Sequence, residues 1–119
     1  MENTHVTIGG HKVTTNKVGQ VHTITTGFLN SHSGKIVWSV TNGICVCVLD
    51  NVKRSATTGW LKVYSGLPKA KHYVYNLCTL NILLNVAGTD LSLYYAGSEV
   101  GVGVYDTIIY PVADDWVES

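Results

Sequence analysis

Short runs in which apolar and polar residues alternate recur about every ten positions between residues 35 and 112. Alternation with a period of two predicts strands that have one buried side and one solvent-facing side. Turn residues separate these runs, and no window of the sequence has a sustained helical period with capping residues. The pattern therefore predicts an all-β domain, a two-sheet antiparallel β-sandwich of jelly-roll type.

Two predicted hairpins give this sandwich its clearest features. Asn42-Gly43 separates two alternating runs, residues 35–40 and 44–49. An Asn-Gly pair between such runs is the strongest short-range hairpin signal. The second hairpin joins residues 82–86 to residues 91–95 through Ala87-Gly88-Thr89-Asp90.

The chain between and after the hairpins divides into further short segments. Residues 50–58 are predicted to be a polar loop. Residues 59–69 are predicted to be a short strand with Leu61 and Val63 on one face, closed by a Gly-Leu-Pro turn. Alternation predicts three more strands, at residues 73–80, 100–105 and 107–112.

The first 34 residues are more polar, and three weakly alternating runs at 6–8, 12–14 and 21–25 predict short strands there. Strands that are polar on both sides specify their register poorly and often depend on neighbours. We therefore predict that residues 1–34 are an inter-subunit or linker segment. Residues 35–119 are predicted to form the sandwich head, and the chain is predicted to be a single domain overall.

Composition narrows the range of partners. Eight acidic residues balance eight basic ones among 119 residues, and charged residues make up 13%. This balance gives no field to attract nucleic acid or an anionic membrane surface, and a polar surface with few charges favours self-association. The start of the chain lacks a signal-peptide pattern, and the apolar cluster at 80–86 is too short to span a bilayer. We expect a chain made in the cytoplasm, with no membrane insertion.

The three cysteines are an odd number, which argues against a disulfide framework. Cys45 and Cys47 lie two positions apart on a predicted strand, so both point to one face. We predict that they are small buried hydrophobic residues. A zinc site would need a second pair of ligands, which the sequence does not supply at ligand spacing.

The remaining polar residues show no catalytic pattern. The histidines are scattered along the chain and none has metal-ligand spacing: His5, His11, His22, His32 and His72. Symmetry could still gather one histidine from each of several chains around an axis, and His22 is the best placed for this. Asp50, Asp90 and Asp106 are predicted to be turn residues, and no nucleophile elbow is present. We expect no cofactor, no metal and no enzymatic activity.

Aromatic residues are the remaining candidates for binding. The chain has many that suit sugar stacking or protein contacts: Tyr64, Tyr73, Tyr75, Tyr94, Tyr95, Tyr105 and Tyr110, with Trp60 and Trp116. Alternation places Tyr75 and Tyr95 in the core, and Tyr94 and Tyr105 on the surface. For Trp60, packing and binding are equally compatible with the pattern.

The order of these features resembles a known family. An Asn-Gly hairpin is followed by a tryptophan strand that ends in Gly66-Leu67-Pro68, then by the Gly88-Thr89-Asp90 hairpin and a final Thr107-Ile108-Ile109-Tyr110-Pro111. Over residues 35–112 this is similar to the C-terminal head domains of tail fibre and baseplate receptor-binding proteins of bacteriophages and prophages. The chain is short for that family, because the shaft and shoulder regions are missing.

The resemblance implies a β-sandwich that forms a homotrimer at a phage tail tip, contacts other tail or virion proteins, and binds a host surface glycan or protein. It assigns no ligand-binding residue in this chain, so the binding surface stays open. Two other functions fit the same sequence: a bacterial carbohydrate-binding β-sandwich module, and a structural protein that decorates a virion.

Overall fold

The computed structural model describes residues 5–8, 11–14 and 19–118. All of the regular secondary structure in these ranges is β, and none of them contains a helix that could cross a membrane. The strands are β1 (His5–Ile8), β2 (His11–Thr14), β3 (His22–Ile24), β4 (His32–Thr41), β5 (Ile44–Arg54), β6 (Gly59–Ser65), β7 (Val74–Leu77), β8 (Leu83–Ala87), β9 (Asp90–Tyr95) and β10 (Val104–Pro111).

Eight of these strands form two antiparallel sheets of four strands each. The first sheet has the order β10-β5-β4-β3, and the second has the order β6-β9-β8-β7. In the second sheet, β7, β8 and β9 are consecutive neighbours and β6 lies beside β9, which is a Greek-key order. Strands β1 and β2 pair with each other in a two-stranded sheet. The prediction of an all-β sandwich is confirmed.

The two sheets bury their facing sides in one core. Along each strand buried residues alternate with more exposed ones, as the pleat requires. The first sheet supplies Ile36, Trp38, Val40, Cys45, Cys47, Leu49, Val52, Val104, Ile108 and Tyr110, and the second supplies Val63, Leu84, Val86, Leu91, Leu93 and Tyr95.

Both predicted hairpins are present. Thr41 pairs with Ile44, and the two residues between them have positive φ angles, 52° at Asn42 and 78° at Gly43. Two positive φ values define the type I′ turn, which matches the twist of the strands it joins. The second hairpin turns at Gly88, whose φ is 61°, and Thr89.

The predicted polar loop at residues 50–58 is wrong over its first half, because β5 continues to Arg54. A bulge at Asn51, which has a φ of 52°, breaks the register with both neighbouring strands. Before the bulge the odd-numbered residues of β5 face the core, whereas after it Val52 and Arg54 do. The bulge reverses the alternation, so the regular sequence pattern ends at Asn51 although the strand continues.

The chain after β9 also differs from the prediction. Residues 98–101 form a turn, with Val100 N bonded to Gly97 O and Val102 N bonded to Glu99 O, and residues 102 and 103 are not in a strand. One strand, β10, replaces the two predicted at 100–105 and 107–112. Gly101 has a φ of 98°, which explains why a glycine stands there. Strand β7 is also shorter than the predicted run at 73–80.

The three strands predicted in the N-terminal segment correspond to β1, β2 and β3. The predicted boundary between residues 34 and 35 falls within β4, and β3 pairs with β4, so both segments contribute to the first sheet. The glycines at positions 9 and 10 and the asparagine at position 16 predict turns between these strands, and these positions lie outside the described residues. The inter-subunit or linker role of residues 1–34 stays a prediction.

Candidate functional site

The solvent-facing side of the second sheet carries the aromatic residues that are best placed for binding. In β9 the residues that alternate with the buried Leu91, Leu93 and Tyr95 point outward. Tyr94 is one of them, and it pairs directly with Trp60 on β6. Because β6 is an edge strand, the Trp60 side chain is 41% exposed.

A third ring completes the group. The Trp60 ring centroid lies 5.6 Å from that of Tyr94 and 6.3 Å from that of Tyr75, and both pairs are tilted. Tyr75 lies on β7, at the other edge of the sheet, and is 56% exposed. We call these three residues, Trp60, Tyr75 and Tyr94, the aromatic face. Their spacing is that of attractive aromatic pairs, so the rings hold each other in position.

Polar side chains lie next to the aromatic face. The backbone register aligns Lys62 with Ser92, Ser92 with Asn85, and Asn85 with Tyr75 in one cross-strand row. These side chains alternate with core residues on their strands and so share the outward side. Amide, hydroxyl and ammonium side chains therefore flank the aromatic face: Asn85 is the cross-strand neighbour of Tyr75, and Ser92 and Lys62 lie two residues from Tyr94 and Trp60 on their strands.

One end of this polar row is fixed by Asp90. Its carboxylate accepts a hydrogen bond of 2.6 Å from Ser65 Oγ and pairs with Lys62 Nζ at 3.1 Å. The Ser65 and Lys62 hydrogen bonds hold the pKa of Asp90 below its usual value. The ammonium group of Lys62 is thus paired with a carboxylate and adds no net charge to the polar row.

The backbone beneath the aromatic face is anchored by a buried arginine. Arg54 crosses from the first sheet and donates to Gly59 O at 2.8 Å and to Leu93 O at 2.6 Å. Gly59 and Leu93 directly precede Trp60 and Tyr94. Arg54 thereby positions the two strands from which the adjacent rings project.

The same guanidinium has two further contacts. Arg54 Nε donates to His32 Nε2 at 3.0 Å, and the guanidinium carbon lies 4.7 Å from the centre of the Tyr95 ring. His32 Nδ1 bonds to Leu29 O at 2.7 Å, so the neutral tautomer with its proton on Nδ1 satisfies both contacts. Burial lowers the pKa of His32; the Leu29 hydrogen bond opposes this effect, and the charge of Arg54 adds to it.

The first sheet has a different outer side. An open groove of about 740 Å³ runs across it, between Tyr105 on β10 and the Lys35–Asp50 pair, whose Nζ–Oδ2 distance is 3.5 Å. Val37 and Val48 also line it. Apart from Tyr105, the residues that line this groove offer no ring for stacking.

The predictions for the tyrosines are confirmed in most cases. Tyr95 is buried, Tyr105 is exposed, and Tyr94 lies on the outward side. The prediction that Tyr75 packs in the core is wrong. Alternation cannot tell which side of β7 faces inward, and here Val74 and Asn76 take the inner side.

The histidines have individual structural roles where the structure describes them. His22 Nε2 lies 2.9 Å from Glu118 Oε2, and its ring stacks on Trp38 at 3.9 Å. His72 is exposed. Within residues 19–118 no three His, Cys, Asp or Glu side chains are grouped so as to hold a metal ion. The side chains of His5 and His11 lie outside the described residues, and the expectation of no metal stays a prediction.

The acidic residues differ from their predicted roles. Asp50 and Asp106 lie within strands, so the prediction that they are turn residues is wrong for both. Asp106 instead accepts hydrogen bonds from Asn76 Nδ2 at 2.7 Å and Cys78 Sγ at 3.4 Å, which joins the edge strands of the two sheets. Asp90 follows the hairpin turn as predicted.

The prediction for the paired cysteines is confirmed. Cys45 and Cys47 are both buried in the core. Burial raises the pKa of Cys45 to about 11 and that of Cys47 further. The thiols are therefore protonated near neutral pH and serve as packing groups.

Comparisons with protein families, with curated proteins and with solved structures find no match for this chain. What the aromatic face can do follows from its chemistry. Aromatic rings with neighbouring polar groups suit ligands that have both an apolar surface and hydroxyl groups. The face is a shallow platform, which favours weak contacts that can be made many times over.

Proposed function

We propose that this chain is a non-catalytic host-attachment domain of a bacteriophage tail fibre or baseplate protein, and that the aromatic face binds a glycan on the host surface. Two lines of support lead to it. The order of sequence motifs resembles the head domains of such proteins. The observation that carries the glycan part is the exposed cluster of Trp60, Tyr75 and Tyr94, with centroid distances of 5.6 and 6.3 Å.

A glycan suits this surface better than a charged partner. The C–H faces of a sugar ring stack on aromatic side chains, while its hydroxyl groups need the amide and hydroxyl partners that Asn85 and Ser92 offer. Lys62 is paired with Asp90, so the site has little net charge. The same surface also suits a protein receptor that exposes aromatic or polar groups, and such a receptor is the second class of partner in this proposal.

The shallow site is proposed to work through multiplicity. A homotrimer presents three aromatic faces together, and linked weak sites exceed the affinity of each one by orders of magnitude. In this proposal the chain is located at the virion tail and contacts other tail or virion proteins. A jelly-roll subtype is part of the same prediction; a jelly roll contains two Greek keys, and one Greek-key order is present in the second sheet.

A glycan array tests the proposal. The native protein is applied beside two variants, Trp60→Ala and Tyr105→Ala. Removal of one stacking ring costs about 1–3 kcal/mol in comparable aromatic platforms, so Trp60→Ala is expected to weaken binding by roughly tenfold or more. Tyr105→Ala removes an exposed tyrosine from the other sheet. Its affinity for a soluble, monovalent glycan, which does not depend on assembly, is expected to equal that of the native protein.

Two results would count against the proposal. One is that the native protein binds no glycan and no host cell surface. The other is that it binds, but Trp60→Ala binds equally well while Tyr105→Ala loses affinity, which would assign binding to the groove of the first sheet.

A carbohydrate-binding module of bacterial origin is the second candidate, because the aromatic face needs no assembly in order to contact a sugar. A stable monomer with clear glycan hits would favour it. A structural role in a virion would instead be favoured by microscopy that places the chain away from the tail tip.

A further inference from the structure

The outer side of the first sheet exposes a row of apolar side chains on a central strand. Ile44, Val46 and Val48 point outward from β5 and are 41%, 38% and 37% exposed. Ile109, the cross-strand partner of Val46, is 64% exposed. Strand β5 is bordered on both sides by β4 and β10, so this apolar row lies in the middle of the sheet.

The residues around this row are mainly uncharged. Thr41 pairs with Ile44, Ser39 pairs with Val46, and Thr107 pairs with Val48. The charged groups of the adjoining groove are Lys35 and Asp50, which neutralise each other, together with Asp106. We call Ile44, Val46, Val48 and Ile109 the apolar face. A second molecule would meet no field of one sign there.

We propose that the apolar face is a contact between copies of this chain. This inference rests on the proposed function, in which several copies of the chain assemble, and it names the surface through which the copies contact each other. With the exposed Tyr105 beside it, the face has on the order of 500 Å² of exposed area, which is the size of the largest apolar patch on a typical protein, and such a patch is often functional. Two such faces together approach the roughly 1,000 Å² of a stable interface.

Two of the strand edges are poor sites for association with another chain. The outer edge of β6 is covered, because Leu29 N bonds to Val63 O and the Asn30 side chain bonds to Lys62 O. The end of β10 is bridged by Ala70, which pairs with Val112. Covered edges resist pairing with another chain, whereas the four side chains of the apolar face are open to a second copy.

The test measures the mass of the whole chain by sedimentation velocity over a wide range of protein concentration. The native protein is expected to form a dimer or larger assembly. Ile109→Lys places a charge in the contact and is expected to weaken association at least tenfold. Leu77→Lys, a similarly exposed change on the second sheet, is the matched control and should assemble like the native protein.

A native chain that stays monomeric at every concentration overturns the inference, and so does a folded Ile109→Lys variant that assembles normally. Near-ultraviolet circular dichroism checks the fold. Ile109→Thr keeps the branched side chain and adds no charge, so its loss of association is expected to be intermediate between the native protein and Ile109→Lys. A monomer that binds glycan overturns this inference and leaves attachment standing, whereas an assembly that binds no glycan supports this inference and counts against attachment.

Discussion

Replacing Arg54 tests how the two sheets hold the aromatic face in place. The Arg54 side chain is fully buried, and its hydrogen bonds go to neutral acceptors: Gly59 O, Leu93 O and His32 Nε2. Arg54→Met retains much of the volume and removes the charge and the donors. The three acceptors then remain in a buried site without their partner.

The expected loss follows from these contacts. A buried acceptor that loses its donor costs about 1–3 kcal/mol, so three such groups set a range of roughly 3–9 kcal/mol. Removing the charge relieves a desolvation penalty of several kcal/mol, and the methionine side chain recovers some packing. We expect Arg54→Met to lower the free energy of unfolding by about 3–5 kcal/mol, the lower part of that range, because the relieved desolvation and the recovered packing offset part of the loss.

Urea denaturation followed by tryptophan fluorescence measures this loss. Lys53→Met is the matched control, because Lys53 is the exposed neighbour on the same strand, and its free energy of unfolding should change by less than about 0.5 kcal/mol. A loss below about 1 kcal/mol for Arg54→Met would refute the idea that this network joins the sheets. Where the variant still folds, it should also bind glycan more weakly, because Gly59 and Leu93 precede Trp60 and Tyr94.

Three further predictions concern stability and reactivity. Burial lowers the pKa of His32 in the folded state below its usual value of 6.5, so the stability that neutral His32 provides is full above about pH 6.5 and is lost as the pH falls through the folded-state pKa. His32→Asn should flatten this part of a stability–pH curve, and an unchanged curve would contradict the burial of a neutral imidazole. Gly34→Ala should lower the melting temperature more than Gly97→Ala, because both residues have positive φ but a Cβ at Gly34 would lie 2.5 Å from Asn51 O, while nothing lies within 4 Å at Gly97; equal shifts would contradict the close contact. The thiol of Cys45, whose pKa burial raises to about 11, should react with a thiol reagent at pH 8 only as fast as the protein unfolds, and rapid labelling of the native state would contradict its burial.

The sequence predicts the local structure of this fold well wherever strands alternate regularly. The hairpin at Asn42-Gly43 could be predicted because both turn residues need positive φ, which Asn and Gly tolerate. The continuation of β5 to Arg54 could not, because the bulge at Asn51 reverses the alternation, and of the two inward side chains that follow, Val52 and Arg54, the second is charged. A buried arginine is rare enough that its segment looks like a solvent-exposed loop.

The candidate site could be predicted only in part. Trp60 and Tyr94 were both candidates as single residues, but their contact depends on the pairing of β6 with β9, which lie far apart in the chain. Tyr75 was assigned to the core, since alternation gives two faces without saying which is buried. Long-range pairing and the direction of a strand's inner face are set by the whole sandwich, and a single sequence does not specify them locally.

The central claim is that the outer side of the second sheet binds glycan through Trp60, Tyr75 and Tyr94. Backbone chemical-shift mapping with isotope-labelled protein and a glycan from the array tests it most directly. The account predicts shifts that centre on β6, β7 and β9, together with a shift of the Trp60 indole N–H signal. Shifts that centre on β5 and β10 of the first sheet, with the Trp60 signal unchanged, would contradict it.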